Sequence, residues 1–293
     1  MLATEIREPR SGFYFKESDA VLLKRLAEYR FLQPCDFQRL TGRNIVSLRR
    51  RLRQLSEREY VERLVLPLER ETPVGGPPDG FVYQLAPRGI RKAKEYGFAD
   101  EGYRYTREKS NLFLLHDLLI TRFHLALELG IRGSPLQLVG WEQRRSVLLD
   151  SAEDGSGRSS VNPDALFGLK DREKAEGQNT TYFFLEIVRS RESEYERQQS
   201  NFMRKIEAFV TYHRQGNHTA RYGISNFRVI TVTPTRQRAF NLCAKLRNAG
   251  LGSKRFWFTD LAAVSPGAPA RILEKVFFTP KDFEAGVLYR FGD

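Results

Sequence analysis

Between Pro34 and Gly89 the chain reads as helix, turn, arginine-rich helix and hairpin, and few folds accept that order. Pro34 to Thr41 has the pattern of a short helix, ended by Gly42. Asn44 is placed to cap the next helix, in which Ile45, Leu48, Leu52 and Leu55 recur at helical spacing. That second helix carries Arg43, Arg49, Arg50, Arg51, Arg53 and Arg58 against one acid, Glu57. Two short apolar runs follow, Tyr60 to Leu68 and Gly80 to Leu85. Thr72 to Asp79 between them is rich in Gly and Pro, which excludes both helix and strand. The order predicts a winged helix-turn-helix, with the second helix lying in the major groove of double-stranded DNA. Arg43, Asn44, Arg49, Arg50 and Arg53 are the candidate contacts on that helix. Arg70 beside the hairpin tip is the candidate contact to a phosphate. The bland alternative for an arginine run is a solvated face, and a winged helix that docks a protein is the other rival.

Charge points the same way. The formal net charge is +12 and the isoelectric point about 9.8, which favours an anionic partner, nucleic acid first. No apolar stretch approaches the length of a membrane span, and Met1 to Arg10 has acids and no apolar core, unlike a secretory signal. Cys35 and Cys243 are far apart and read as small buried residues. No Cys/His spacing suggests zinc, and a reducing cytoplasmic location is expected. No glycine loop of the kind that cradles phosphates is present, since Gly75-Gly76 reads as a hairpin tip.

The chain divides by pattern. Residues 1–17 read as a polar arm. Residues 18–100 read as the winged domain, opened by a helix that Ser18-Asp19 would cap and closed by a short basic helix, Ile90 to Tyr96. Phe13, Tyr14 and Phe15 are expected to dock on its core rather than stack on a base. An apolar helix from about Ser110 to Leu129 follows, with Leu112, Leu115, Leu119, Phe123 and Leu127 on one face. From Leu136 strands alternate with helices: Leu138–Leu149, Val161–Leu169 and Tyr182–Val188, a long helix Ser193–Arg214, Phe227–Val232, a helix Thr235–Ala249, and Phe256–Phe258. Asp150 to Ser160 reads as a turn. Residues 110–293 are therefore expected to form an α/β domain with a mixed sheet, in a chain that is α+β overall.

Acids in apolar strands carry the chemical signal. Asp164 stands in Asn162-Pro163-Asp164-Ala165, and Glu186 in Phe183-Phe184-Leu185-Glu186-Ile187-Val188. A carboxylate buried in such a run must be paired or bound to a cation, because burial alone costs several kcal/mol. Two of them on adjacent strands make a hard, oxygen-lined site suited to Mg2+ or Mn2+. Glu142 on the preceding strand is a third candidate. His116, His124, His213 and His218 lack a Ser or Cys partner at telling spacing and read as structural or surface residues.

Pro163-Asp164, a hairpin turn and Glu186 in an apolar strand resemble the PD-(D/E)xK nuclease pattern. With the preceding winged-helix order, with His116-Asp117, with Glu186 followed by Arg189 and Glu192, and with Lys205 and Tyr212, the chain resembles the plasmid replication-relaxation family, which includes MobC-type mobilisation proteins. The resemblance implies a restriction-endonuclease-like second domain and a role in replication or mobilisation of a plasmid or integrative element. It also suggests a relaxase or replication protein, or a second copy of the chain, as partner. It would make Asp164 and Glu186 metal ligands and Lys205 the catalytic cation. The nuclease pattern has a lysine two residues after the glutamate, and Val188 stands there in this chain. Three readings stay open: a DNA-binding protein with a degenerate or accessory nuclease-like domain, a metal-dependent nickase, and a dimeric transcription regulator. Asp164 and Glu186 pairing with Arg189, Lys205 or Arg145 is the structural alternative.

Overall fold

A computed structural model describes residues 13–66, 80–105, 111–143, 162–188, 195–281 and 285–287. Arg70, Thr72 to Asp79, Arg145, the expected turn Asp150 to Ser160, Arg189 and Glu192 lie outside the described residues. The chain divides into two compact units, with the division in the main chain after Lys109.

In the first unit, α1 (Glu17–Tyr29), α2 (Pro34–Thr41) and α3 (Ile45–Glu57) precede an antiparallel pair, β1 (Val61–Val65) and β2 (Phe81–Leu85), and α4 (Pro87–Glu95) follows. Leu32, between α1 and α2, bridges Tyr83 through two backbone hydrogen bonds of 2.9 and 3.1 Å and extends the hairpin sideways. The cap of α1 lies earlier than Ser18-Asp19. Lys16 is the N-cap, and its backbone N–H donates to the Asp19 carboxylate at 2.8 Å. α2 repeats the device, with Gln33 donating to Asp36 at 3.0 Å. Asn44 caps α3 as its side-chain oxygen accepts from Val46 and Ser47. α4 begins at Pro87, three residues before Ile90, and sits close on the hairpin. A Cβ at Gly89 would lie 1.8 Å from the Tyr60 carbonyl oxygen, so only glycine lets the helix approach there. Phe13 and Phe15 pack on Tyr60, with ring centroids 5.8 and 5.0 Å away, while Tyr14 between them is exposed.

In the second unit, α5 (Asn111–Gly130) leads into a mixed sheet whose described strands stand in chain order: β3 (Leu136–Gln143), β4 (Ala165–Asp171), β5 (Thr180–Ile187), β6 (Phe227–Thr233), β7 (Phe256–Asp260), β8 (Lys275–Phe278) and β9 (Ala285–Val287). β3, β4 and β5 are antiparallel to one another. β5, β6 and β7 are parallel, and β8 and β9 return antiparallel. The parallel crossovers run through α6 (Tyr195–Arg214) with the short α7 (Asn217–Tyr222), and through α8 (Arg236–Asn248), capped by Thr235. A 3-10 helix, Pro269–Leu273, precedes β8. Strand alternation sorts the sheet's side chains onto two faces. Phe183, Leu185 and Ile187 pack with Ile120, Phe123 and Leu127 of α5. Phe184 packs with Phe202, Ile206 and Phe209 of α6, on the face that also holds Leu242 and Leu246 of α8.

Two expectations change. The α5 stripe is broader than one row of leucines: His116, Asp117, Thr121 and His124 are buried along with Leu114, Leu118 and Ile120. A helix buried this widely loses the one-sided signature on which a stripe is read. Gly140, at φ 65°, makes a bulge in β3 between Val139 and Trp141. Beyond it, Trp141 stacks on His124, with centroids 3.9 Å apart, and on Phe167.

Candidate functional site

α3 is the first candidate surface. Leu48, Leu52 and Leu55 are buried, while Val46, Ser47, Arg49, Arg50 and Arg53 are exposed. The arginines divide by helical position. Arg51 is three residues after Leu48 and four before Leu55, so it falls on the buried stripe. Its Nε donates to Asp19 Oδ1 at 2.7 Å and its Nη2 to Asp19 Oδ2, while Nη2 also donates to the Tyr14 carbonyl at 2.6 Å. Asp19 is wholly buried, and this hydrogen bond, with the carboxylate's charge, raises the Arg51 pKa. Arg51 therefore ties α3 to α1. Arg43 donates to the Ser18 carbonyl at 3.2 Å, and the Asn44 side-chain oxygen is engaged in the cap. Arg50 and Arg53 have no hydrogen-bond or ion-pair partner among the described residues. Of the candidate contacts, Arg49, Arg50 and Arg53 thus share one solvent face of α3. On the hairpin, Arg63 lies over the Phe81 ring at 4.6 Å.

The second candidate lies at one end of the sheet of the α/β unit. The β4–β5 ladder begins at Ala165, paired with Leu185, so Asp164 stands one step before the strand and across from Glu186. The Asp164 N–H donates to the Leu185 carbonyl at 2.9 Å, and its Oδ2 accepts from the Ile187 N–H at 2.8 Å. Its Oδ1 meets His116 Nε2 at 2.8 Å. His116 comes from the α5 row that includes Ile120, Phe123 and Leu127, and so faces the sheet. On the other face Lys205, on the α6 row of Phe202, Ile206 and Phe209, pairs with Glu186 Oε2. Asp164, Glu186 and His116 are all buried, and Lys205 is half-buried. Burial pushes the Asp164 carboxyl up. The His116 hydrogen bond and charge, the Lys205 charge and the Ile187 N–H outweigh it and hold the pKa below 3.8. The fold thus brings together Asp164, Glu186 and Lys205, and adds His116, which sequence reasoning took as structural or surface. Glu142 is exposed, opposite Leu166, and stays outside the cluster. Val188 packs against the apolar side chains of the α6 face.

A hard divalent cation needs several oxygen ligands converging on one point. Here Asp164 is held by His116 and a backbone N–H, and Lys205 already supplies positive charge to Glu186. Among the described residues no group of three or more His, Cys, Asp or Glu side chains could hold a metal ion. What the arrangement does is hydrogen-bond one buried carboxylate to His116 and ion-pair the other with Lys205, and so fasten α5 and α6 to opposite faces of the sheet.

No described helix is long and apolar enough to cross a membrane. No curated protein and no solved structure matches the chain. The profile of one family, described as replication-relaxation, matches residues 23–227, well over half of the sequence and spanning both the α3 surface and the Asp164 cluster. The chain belongs to the replication-relaxation family.

Proposed function

We propose that the protein binds duplex DNA in the replication or mobilisation of a plasmid or integrative element, and that its first unit is a winged helix that lays α3 in the major groove. One observation carries this reading: Arg49, Arg50 and Arg53 share the solvent face of a helix whose opposite face is fixed by Leu48, Leu52, Leu55 and the Arg51–Asp19 pair. A helix so anchored presents its outer residues in a defined register, which reading base edges requires. Family membership and the net charge of +12 support the same reading. The test is selection of a binding site from random duplexes by the full chain, followed by methylation interference on the selected site. Methylation of guanine N7, in the major groove, is expected to block binding. Interference confined to adenine N3, in the minor groove, would reject the placement of α3.

A second reading, a metal-dependent nickase, draws on the convergence of Asp164, Glu186 and Lys205. We take the α/β unit as accessory instead, because both carboxylates are engaged by protein groups. Supercoiled plasmid incubated with the protein and manganese is expected to stay supercoiled. Nicking that Asp164→Ala abolishes would establish the second reading.

A further inference from the structure

From Ala208 to Thr259 the sequence contains no aspartate or glutamate and nine lysines and arginines. The fold brings seven of the nine to one end of the sheet, Arg228 on the face of Trp257 and the others with the α6 and α8 side. β6 and β7 run parallel to β5, so they begin at the same end of the sheet, and there lie Arg228 and the Lys254-Arg255 pair. α8 returns from the far end and brings Lys245 and Arg247 in its last turn. α6 closes there with His213 and Arg214, and α7 adds Arg221. Asp164 and Glu186 sit toward the opposite end, about 13 Å away, because Glu186 pairs with Thr231, four residues beyond Phe227.

The centre of this basic end is the Phe227 ring. The Arg255 guanidinium lies over it at 5.2 Å, and the rings of His213 and His218 pack against it at 5.7 and 5.2 Å. The two imidazoles stack on each other with centroids 4.9 Å apart. His218 Nε2 bonds the Ser225 carbonyl, and its buried Nδ1 has no partner among the described residues. Burial lowers the Arg255 pKa; burial, the Arg255 charge and His218 lower that of His213. Among the described residues, Asp171 at the end of β4 and Glu173 and Glu176 in the exposed β4–β5 turn are acids at this end of the sheet. No ion pair joins a described acid to Arg214, Lys254 or Arg255. Arg214, Lys254 and Arg255 thus add positive charge at one end of the sheet, which favours an anion from outside.

We propose that this end of the sheet is a second DNA-binding surface, in which Arg214, Lys254 and Arg255 contact phosphates of the duplex backbone. Arg214 and Lys254 are exposed at the rim, and Arg255 is held in place by Phe227. The three contacts proposed go to phosphates and not to base edges, so binding here is independent of sequence. It adds affinity that a site read by α3 alone would lack, and it does not depend on the α3 reading.

The test measures binding of the full chain to a labelled duplex of random sequence by fluorescence anisotropy, across a salt series. The double variant Arg214→Gln with Lys254→Gln is compared with Arg271→Gln with Lys275→Gln, a matched loss of two exposed charges at the other end of the sheet. Two lost phosphate contacts are expected to make the slope of log K against log salt shallower by about 1.8. The control pair is expected to leave the slope within experimental scatter. An unchanged slope in the first variant, or equal changes in both, would overturn the proposal. Arg50→Gln with Arg53→Gln, measured in parallel, reports on α3 separately, so failure of either surface is recognisable. All four patch and control positions are exposed, so thermal melts that match the parent exclude unfolding as the cause.

Discussion

Replacing Arg51 with methionine separates the arginines that hold the first unit together from those that face solvent. The Asp19 side chain is 0 % exposed and that of Arg51 15 % exposed, so the pair is screened little by water. Methionine fills much of the space but leaves the Asp19 carboxylate with the Lys16 N–H as its remaining described donor. Breaking a buried ion pair from one side costs about 3–5 kcal/mol. A unit of this size shifts its melting temperature by roughly 4–8 °C per kcal/mol, so a loss of at least about 12 °C is expected. Arg50→Gln, one position away and exposed, should stay within about 0.5 kcal/mol of the parent. Urea unfolding followed by circular dichroism gives both numbers, and Asp19→Asn with Arg51→Met should cost less than the sum of the two single changes. Equal destabilisation by Arg51→Met and Arg50→Gln, or strict additivity in the double variant, would refute the division of the arginines.

Other consequences follow from the same packing. His124, stacked on Trp141, is pushed down to about 3 by burial and stays neutral in the fold. A depressed folded pKa gives stability that is full above the unfolded value, near 6.5, and is lost as pH falls toward 3, at up to about 1.4 kcal/mol per pH unit. Denaturant midpoints should therefore decline below pH 6.5, and His124→Phe should flatten that decline; a parallel curve would contradict it. Asp164, held below 3.8, adds its own loss only in more acid solution, so Asp164→Asn should alter the curve below about pH 4 and leave the His124 window intact. Gly89→Ala forces a Cβ into the Tyr60 carbonyl and should cost about 1–3 kcal/mol, read as a lower urea midpoint. Because both carboxylates of the Asp164 cluster are engaged by protein groups, about 5 mM MnCl2 should leave the melting temperature where EDTA leaves it; a rise of several degrees that Asp164→Ala removes would show a bound ion.

Much of the fold was legible because local signals agreed. Asn44 and the Leu48, Leu52 and Leu55 stripe placed α3, Thr235 after Pro234 placed the start of α8, and the β-branched run of Phe227 to Val232 placed β6. What stayed hidden was mostly non-local. The His116–Asp164 hydrogen bond joins residues 48 apart, and nothing in the spacing of either announces the other. His116 was quoted for family likeness, yet its place four residues before Ile120 already put it on the sheet-facing row. Arg51 carried the same signal: a cation at an apolar position of the stripe, waiting for a buried acid. Lys205 sits likewise between Phe202 and Ile206, and was named from the nuclease pattern rather than from that position. β8, β9 and the 3-10 helix were not expected, being too short to show a period.

The central claim is that the solvent face of α3 binds duplex DNA, and the salt dependence of binding to the selected site tests it most directly. With Arg50 and Arg53 both changed to glutamine, the account predicts weaker binding and a slope shallower by about 1.8, as two phosphates keep their counterions. Equal affinity and equal slope in the parent and the double variant, both folded, would contradict it.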